Sequence, residues 1–156
     1  MAHPNLSHWG RLTAVPAVLV ALTFTVRDLF DTLAPVTYTP GVIHLRSAVM
    51  SWTLVLIFAF TGARAVWRTK RIRSAVLVAL ITAALGGIGS ALSAAAMLAI
   101  WHDPVTLQAW QSSGGLDEAL WGVPLLLIPI GLVTGTIGAT VSRILLKSPA
   151  KAGHYV

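Results

Sequence analysis

The charged residues of this chain leave four apolar stretches between them: Leu12–Val26, Ser47–Ala63, Ser74–Trp101 and Ala119–Ser142, of 15, 17, 28 and 24 residues. A helix rises about 1.5 Å per residue, so about 20 residues cross roughly 30 Å of hydrocarbon. The third and fourth stretches are long enough as they stand. The second extends through Arg64 to Trp67, because a terminal arginine can carry its guanidinium out to the headgroups. The first extends through Arg27, Asp28 and Asp31 to Leu33, with Arg27 and Asp31 spaced at i and i+4 to pair near the interface. Four spans result, at about 11–33, 47–67, 74–101 and 118–143, in one membrane domain covering 1–156.

Composition agrees. The chain is 56% hydrophobic and only 10% charged, where a soluble domain carries about 25% charged residues. Its mean hydropathy is +0.78. A disordered chain, a disulfide scaffold and an ordinary soluble enzyme are all excluded. The chain has no cysteine, which removes disulfides, thiol nucleophiles, Cys-ligated zinc and iron–sulfur clusters. The expected fold is an all-α integral membrane protein with four transmembrane helices in an antiparallel bundle. A signal peptide competes for the first stretch, but no small-x-small cleavage pattern follows Val26, so that span is expected to stay attached.

Basic residues set the expected orientation. Arg64, Arg68, Lys70, Arg71 and Arg73 crowd the connection between spans two and three. Arg11 precedes span one, and Arg143, Lys147 and Lys151 follow the core of span four. Nine of the eleven basic residues therefore fall on one side, and all five acids fall on the other with Arg27 and Arg46. The positive-inside rule makes the basic side cytoplasmic, with both termini in. With no cleavable targeting sequence evident and only short loops, a prokaryotic inner membrane is expected.

The second outer connection begins His102-Asp103-Pro104. Asp103 as N-cap with Pro104 at the first helical position predicts a short surface helix around 104–111, with Trp110 at headgroup depth. Trp67, Trp101 and Trp121 are placed as interface anchors.

Small residues recur at helical spacing in the second half. Gly86, Ser90 and Ala94 repeat every fourth residue in span three, as do Gly131, Gly135 and Ala139 in span four. Helices in lipid associate through close backbone contact, which small residues permit. The favoured expectation is packing of spans three and four within one chain; docking of a second copy or a larger membrane complex is the alternative. Pro129 lies well inside span four, where its ring should free the Leu125 carbonyl and kink the helix, with Thr134 or a neighbouring helix covering that carbonyl.

Chemistry-bearing groups are scarce. The uncharged cores of spans two, three and four hold only Ser and Thr hydroxyls, which argues against a proton-coupled carrier or a voltage sensor. On the outer side, His44, His102 and Asp103 are weak candidates for a metal or acid–base site, alongside Asp28, Asp31, Asp117 and Glu118. None has a motif spacing. No nucleophile elbow, P-loop or dinucleotide fingerprint is present, so no catalytic residue and no cofactor are expected. The basic connection is placed at the membrane surface as a topology determinant beside anionic lipid, with an acidic partner as the lesser possibility and nucleic acid disfavoured. Three function classes follow in order: a non-enzymatic accessory or structural subunit acting through helix packing; an oligomeric channel or transporter for ions or small solutes; and an outer-face enzyme or metal binder.

Overall fold

The computed structural model describes residues 6–33, 40–112 and 117–147. They form five α-helices and one wider turn: α1 Leu6–Leu33, α2 Pro40–Thr69, α3 Ile72–Ile100, α4 Pro104–Ser112, a π-helical turn Glu118–Gly122, and α5 Val123–Lys147. Four of these helices are long and apolar enough to cross a membrane, over Gly10–Phe30, Leu45–Thr69, Ile72–Ile100 and Leu120–Leu146, the last counting the π turn with α5. A helix suits such apolar sequence because it satisfies every interior backbone N–H and C=O within its own segment.

Three clusters of buried side chains give the direction of each helix. Leu12, Ala65, Val66, Ala75, Val78 and Ala139 meet at one end. Val20, Phe24, Leu54, Phe58, Ala83, Val123 and Leu127 fill the middle. Ala94, Met97 and Trp110 close the other end, against Leu29, Leu98 and Trp101. Residue numbers rise along this axis in α1 and α3 and fall in α2 and α5. The bundle is antiparallel. Within it α3 packs against α1, α2 and α5, and α5 closes on α2 and α3.

Large apolar side chains cover the outside as well, among them Leu22, Trp52, Leu56, Phe60, Leu92 and Val133. Only 22% of the last span's most apolar window is buried inside the protein. A monomer in water seldom exposes apolar patches beyond a few hundred Å², and such faces suit a lipid surrounding.

Two residues separate α2 from α3. The Lys70 N–H donates to the Val66 carbonyl at 2.7 Å, and the Thr69 hydroxyl donates to the Ala65 carbonyl at 2.7 Å while accepting the Arg71 N–H at 3.3 Å. Lys70 turns the corner in the left-handed region, at φ 58°, where glycine is the usual residue. A side chain there costs roughly 1–2 kcal/mol.

At the far end, Asp103 caps α4 as its sequence implies. Its Oδ1 accepts the Val105 N–H at 3.1 Å, and its carbonyl accepts the Leu107 N–H at 3.1 Å. Trp110 is buried, 5% exposed, on Ala94 and Met97. Its Nε1 donates to the Thr32 hydroxyl at 3.2 Å. The indole thereby ties α4 to the end of α1. Trp121, by contrast, is exposed.

Helix α5 runs unbroken through Pro129. Among the described residues the departure from α geometry lies earlier, at Glu118–Gly122, where the Val123 N–H reaches the Glu118 carbonyl. Pro124 follows at once and has no N–H to give Leu120, so a widened turn there relieves its ring. Thr134 does not reach back to Leu125 either; its hydroxyl donates to the Ile130 carbonyl at 2.7 Å.

Candidate functional site

The interior comes first, because any path for a solute must run through it. Thr23, Thr25, Thr53, Thr61, Thr134, Thr136 and Thr140 each donate to the carbonyl four residues earlier, at 2.6–2.9 Å. Such hydroxyls are spent on their own helix. Among the described residues a hydroxyl pair links α1 and α3: Thr25 and Ser93 are hydrogen-bonded at 2.9 Å. Bonds of this kind in lipid contribute about 0.6–2 kcal/mol.

Thr82 is the exception. It is fully buried in α3, and its Oγ1 has no hydrogen-bond partner among the described residues. An unsatisfied buried hydroxyl costs about 1–3 kcal/mol, so Thr82→Val, which keeps the shape and removes the polar atom, should stabilise the bundle by about 1 kcal/mol. Unfolding in mixed micelles measures this, and a loss of stability would reveal a bond the hydroxyl makes.

The small residues lie inside the bundle, though not as a single α3–α5 seam. A Cβ built on Gly86 would stand 2.6 Å from a Val20 methyl of α1, and one on Gly89 would stand 2.8 Å from the Ala21 Cβ. Ser90 and Ala94 are buried on the same helix. Gly86 and Gly89 thus face α1, while Ala94 packs with Trp110 of α4. Gly131 lies under the Phe58 ring and beside Ala83, and Gly135 faces Ala79, so α5 does meet α3. Ala139 is fully buried among Leu12, Ala65 and Val66. The tightest crossing involves a helix outside the expected pair. A Cβ on Gly62 of α2 would overlap the Gly135 carbonyl, and a Cβ on Gly138 would overlap the Ala59 carbonyl. Backbone rides on backbone there.

Among the described residues, the polar candidates at the α4 end form no metal-holding group. His102, Asp103, Asp117 and Glu118 are exposed, and the side chains of Asp31 and His44 lie outside the described residues. No group of three or more His, Asp or Glu able to hold a metal occurs among the described residues. Asp28 lies within α1, where the first span extends through it, and is buried, 7% exposed, one turn before Thr32. The Thr32 hydroxyl donates to the Asp28 carbonyl at 2.7 Å. Arg46 of α2 stacks its guanidinium over the Phe30 ring of α1, 5.5 Å from the centroid, a cation–π contact.

The opposite end is basic throughout. Arg68, Lys70, Arg71 and Arg73 are exposed around the two-residue turn, and Arg64 is half-buried one turn below. Arg11 of α1 and Arg143 of α5 are exposed at the same end, which the contacts of Leu12 and Ala139 hold together. Asp28 and Asp31 lie near the end of α1, Asp103 just before α4, and Asp117 and Glu118 at the π turn, all away from the basic end. Comparison with protein-family models, with curated proteins and with solved structures finds no match for this chain.

Proposed function

We propose that the chain is a small multi-pass membrane protein, oriented with its basic end and both termini in the cytoplasm of a prokaryotic cell, and that it is a non-enzymatic accessory or structural subunit. The observation that carries this is how few polar groups the bundle holds inside: among the described residues the buried ones are Thr13, Asp28, Thr61, Thr82, Ser90 and Ser142, with Asp28 near the end of α1. No ionisable residue lies in the apolar cores of α2, α3 and α5, and most of the threonine hydroxyls donate to carbonyls of their own helix, Thr82 and the Thr25–Ser93 pair apart. Ion and proton paths need intramembrane charge or open polar groups. The small-residue stripes are consumed inside the chain, so a partner would meet the larger side chains of the outer faces.

A channel assembled from several copies is the alternative. The α5 face formed by Leu132, Val133, Thr136, Ile137, Thr140 and Val141 is a shallow groove, but the Thr136 and Thr140 hydroxyls donate to carbonyls of their own helix. That leaves methyl groups along it, a surface suited to acyl chains more than to a water-filled lumen.

Flux in vesicles separates the two. Vesicles holding the purified full chain should release trapped ions and small neutral solutes no faster than protein-free vesicles, while mild-detergent extraction from its own membrane should retain a larger membrane partner. Saturable flux of any solute would favour the channel and overturn the subunit proposal.

A further inference from the structure

The basic end holds cations from all four long helices with no acidic side chain near them in sequence or along the bundle axis. Coulomb repulsion among Arg64, Arg68, Lys70, Arg71 and Arg73 is unrelieved within the described residues, so their counter-charge comes from outside the chain. Lys70 strengthens the case. The corner between α2 and α3 places a lysine at φ 58°, where glycine would sit without strain. Strain of this kind is associated with functional positions, and here it adds a cation at the tip of the turn.

The level of these cations identifies the partner. Trp67, directly before Arg68, is exposed, as are Leu77 beyond Arg73 and Leu145 beyond Arg143. Cations and apolar side chains thus alternate around the same rim. An acidic soluble protein would meet charges standing above such a rim. Phospholipid meets both at once, with acyl chains on the apolar groups and phosphates on the cations. We propose that this end is a binding surface for the phosphodiester headgroups of anionic phospholipids, selecting them from zwitterionic ones. The inference is independent of the accessory-subunit proposal, since a channel or an enzyme could carry the same surface.

The test uses the full chain in vesicles of equimolar phosphatidylcholine and phosphatidylglycerol, read with spin-labelled lipids of each headgroup. A basic residue near an anionic surface changes partition by up to about fivefold. Wild type should therefore restrict phosphatidylglycerol in preference to phosphatidylcholine by about fivefold, and raised salt should weaken the preference. The combined variant Arg68→Gln, Lys70→Gly, Arg71→Gln should bring it close to parity. Lys70→Gly alone relaxes the corner, so it should fold and show a smaller, measurable drop even if the combined variant does not fold. Three results would each overturn the proposal: equal restriction of both lipids by wild type, as expected of an end that docks an acidic protein; an unchanged preference in Lys70→Gly together with a folded combined variant; or loss of the preference on adding soluble glycerol phosphate at matched ionic strength, which would assign the site to free phosphate.

Discussion

Gly62→Ala and Gly138→Ala should each prevent the bundle from reaching its native packing, although each adds a single methyl group. At both positions the obstacle is a backbone carbonyl of the facing helix, Gly135 and Ala59 respectively. A flexible side chain could rotate away, but a carbonyl moves only with its helix. Overpacking a core costs about 1–3 kcal/mol and sometimes more, and these two sites should lie at or above about 3 kcal/mol. Gly131→Ala is the graded case. Its Cβ would come within 2.9 Å of the Phe58 ring, which can shift, so about 1–2 kcal/mol is expected. Gly10→Ala is the control, because nothing lies within 4 Å of its added Cβ, and its effect should stay within about 0.5 kcal/mol of zero. Gly135→Ile should fail to fold rather than lose a partner, since Gly135 is enclosed by Ala79 and Phe58. Denaturant titration in mixed micelles orders all five. Wild-type stability in Gly62→Ala or Gly138→Ala would mean that α2 and α5 do not cross at this distance.

This crossing also shows how far sequence alone reaches. Four apolar helices were legible from charge spacing, because the length needed to cross hydrocarbon is fixed and few residues interrupt the runs. The small-residue stripes were legible too, but not what they face. A period of four residues says that Gly131, Gly135 and Ala139 share a face; it does not say which neighbour covers that face. The closest approach joins Ala59 and Gly62 to Gly135 and Gly138, pairs spaced by three, and a search for the four-residue repeat passes over them. Gly62 stands among larger residues in α2, and only its partner across the crossing reveals its role.

Proline carried a similar ambiguity. Pro129 lies within the continuous α5, and the π turn lies just before Pro124, five residues earlier. Which turn widens beside a proline is set by the local backbone, which the position of the ring in the sequence does not give. Asp28 is the corresponding miss among charges. Arg27 and Asp31 suggested an interfacial end to span one, but the burial of Asp28 depends on neighbouring helices packing over α1 there, a tertiary fact that local sequence does not hold.

Trp110→Ala should release α4 from the bundle with a loss of about 3–5 kcal/mol, the usual cost of truncating a buried aromatic. The indole is 5% exposed and fills the space beside Ala94 and Met97. Its Nε1 bond to Thr32 is the smaller part of the contact, so Trp110→Phe should cost about 1 kcal/mol. Because α4 lies outside the spans, the loss should be local. Tryptophan fluorescence and amide exchange should report α4 opening while the exchange of α2 and α5 stays slow. If Trp110→Ala leaves α4 protected, the helix is held by the surrounding bilayer, as first expected for a surface helix, and not by the protein.

The account as a whole depends on four crossings with the basic end in the cytoplasm. The chain has no cysteine of its own, so single replacements can be read against a silent background. Thr69→Cys and Ala150→Cys should react with a membrane-impermeant maleimide only after the cells are opened. Tyr38→Cys and Ser112→Cys should react in intact cells. Labelling of position 69 from outside would contradict the orientation, and equal labelling of all four positions in intact cells would contradict the membrane-spanning bundle itself.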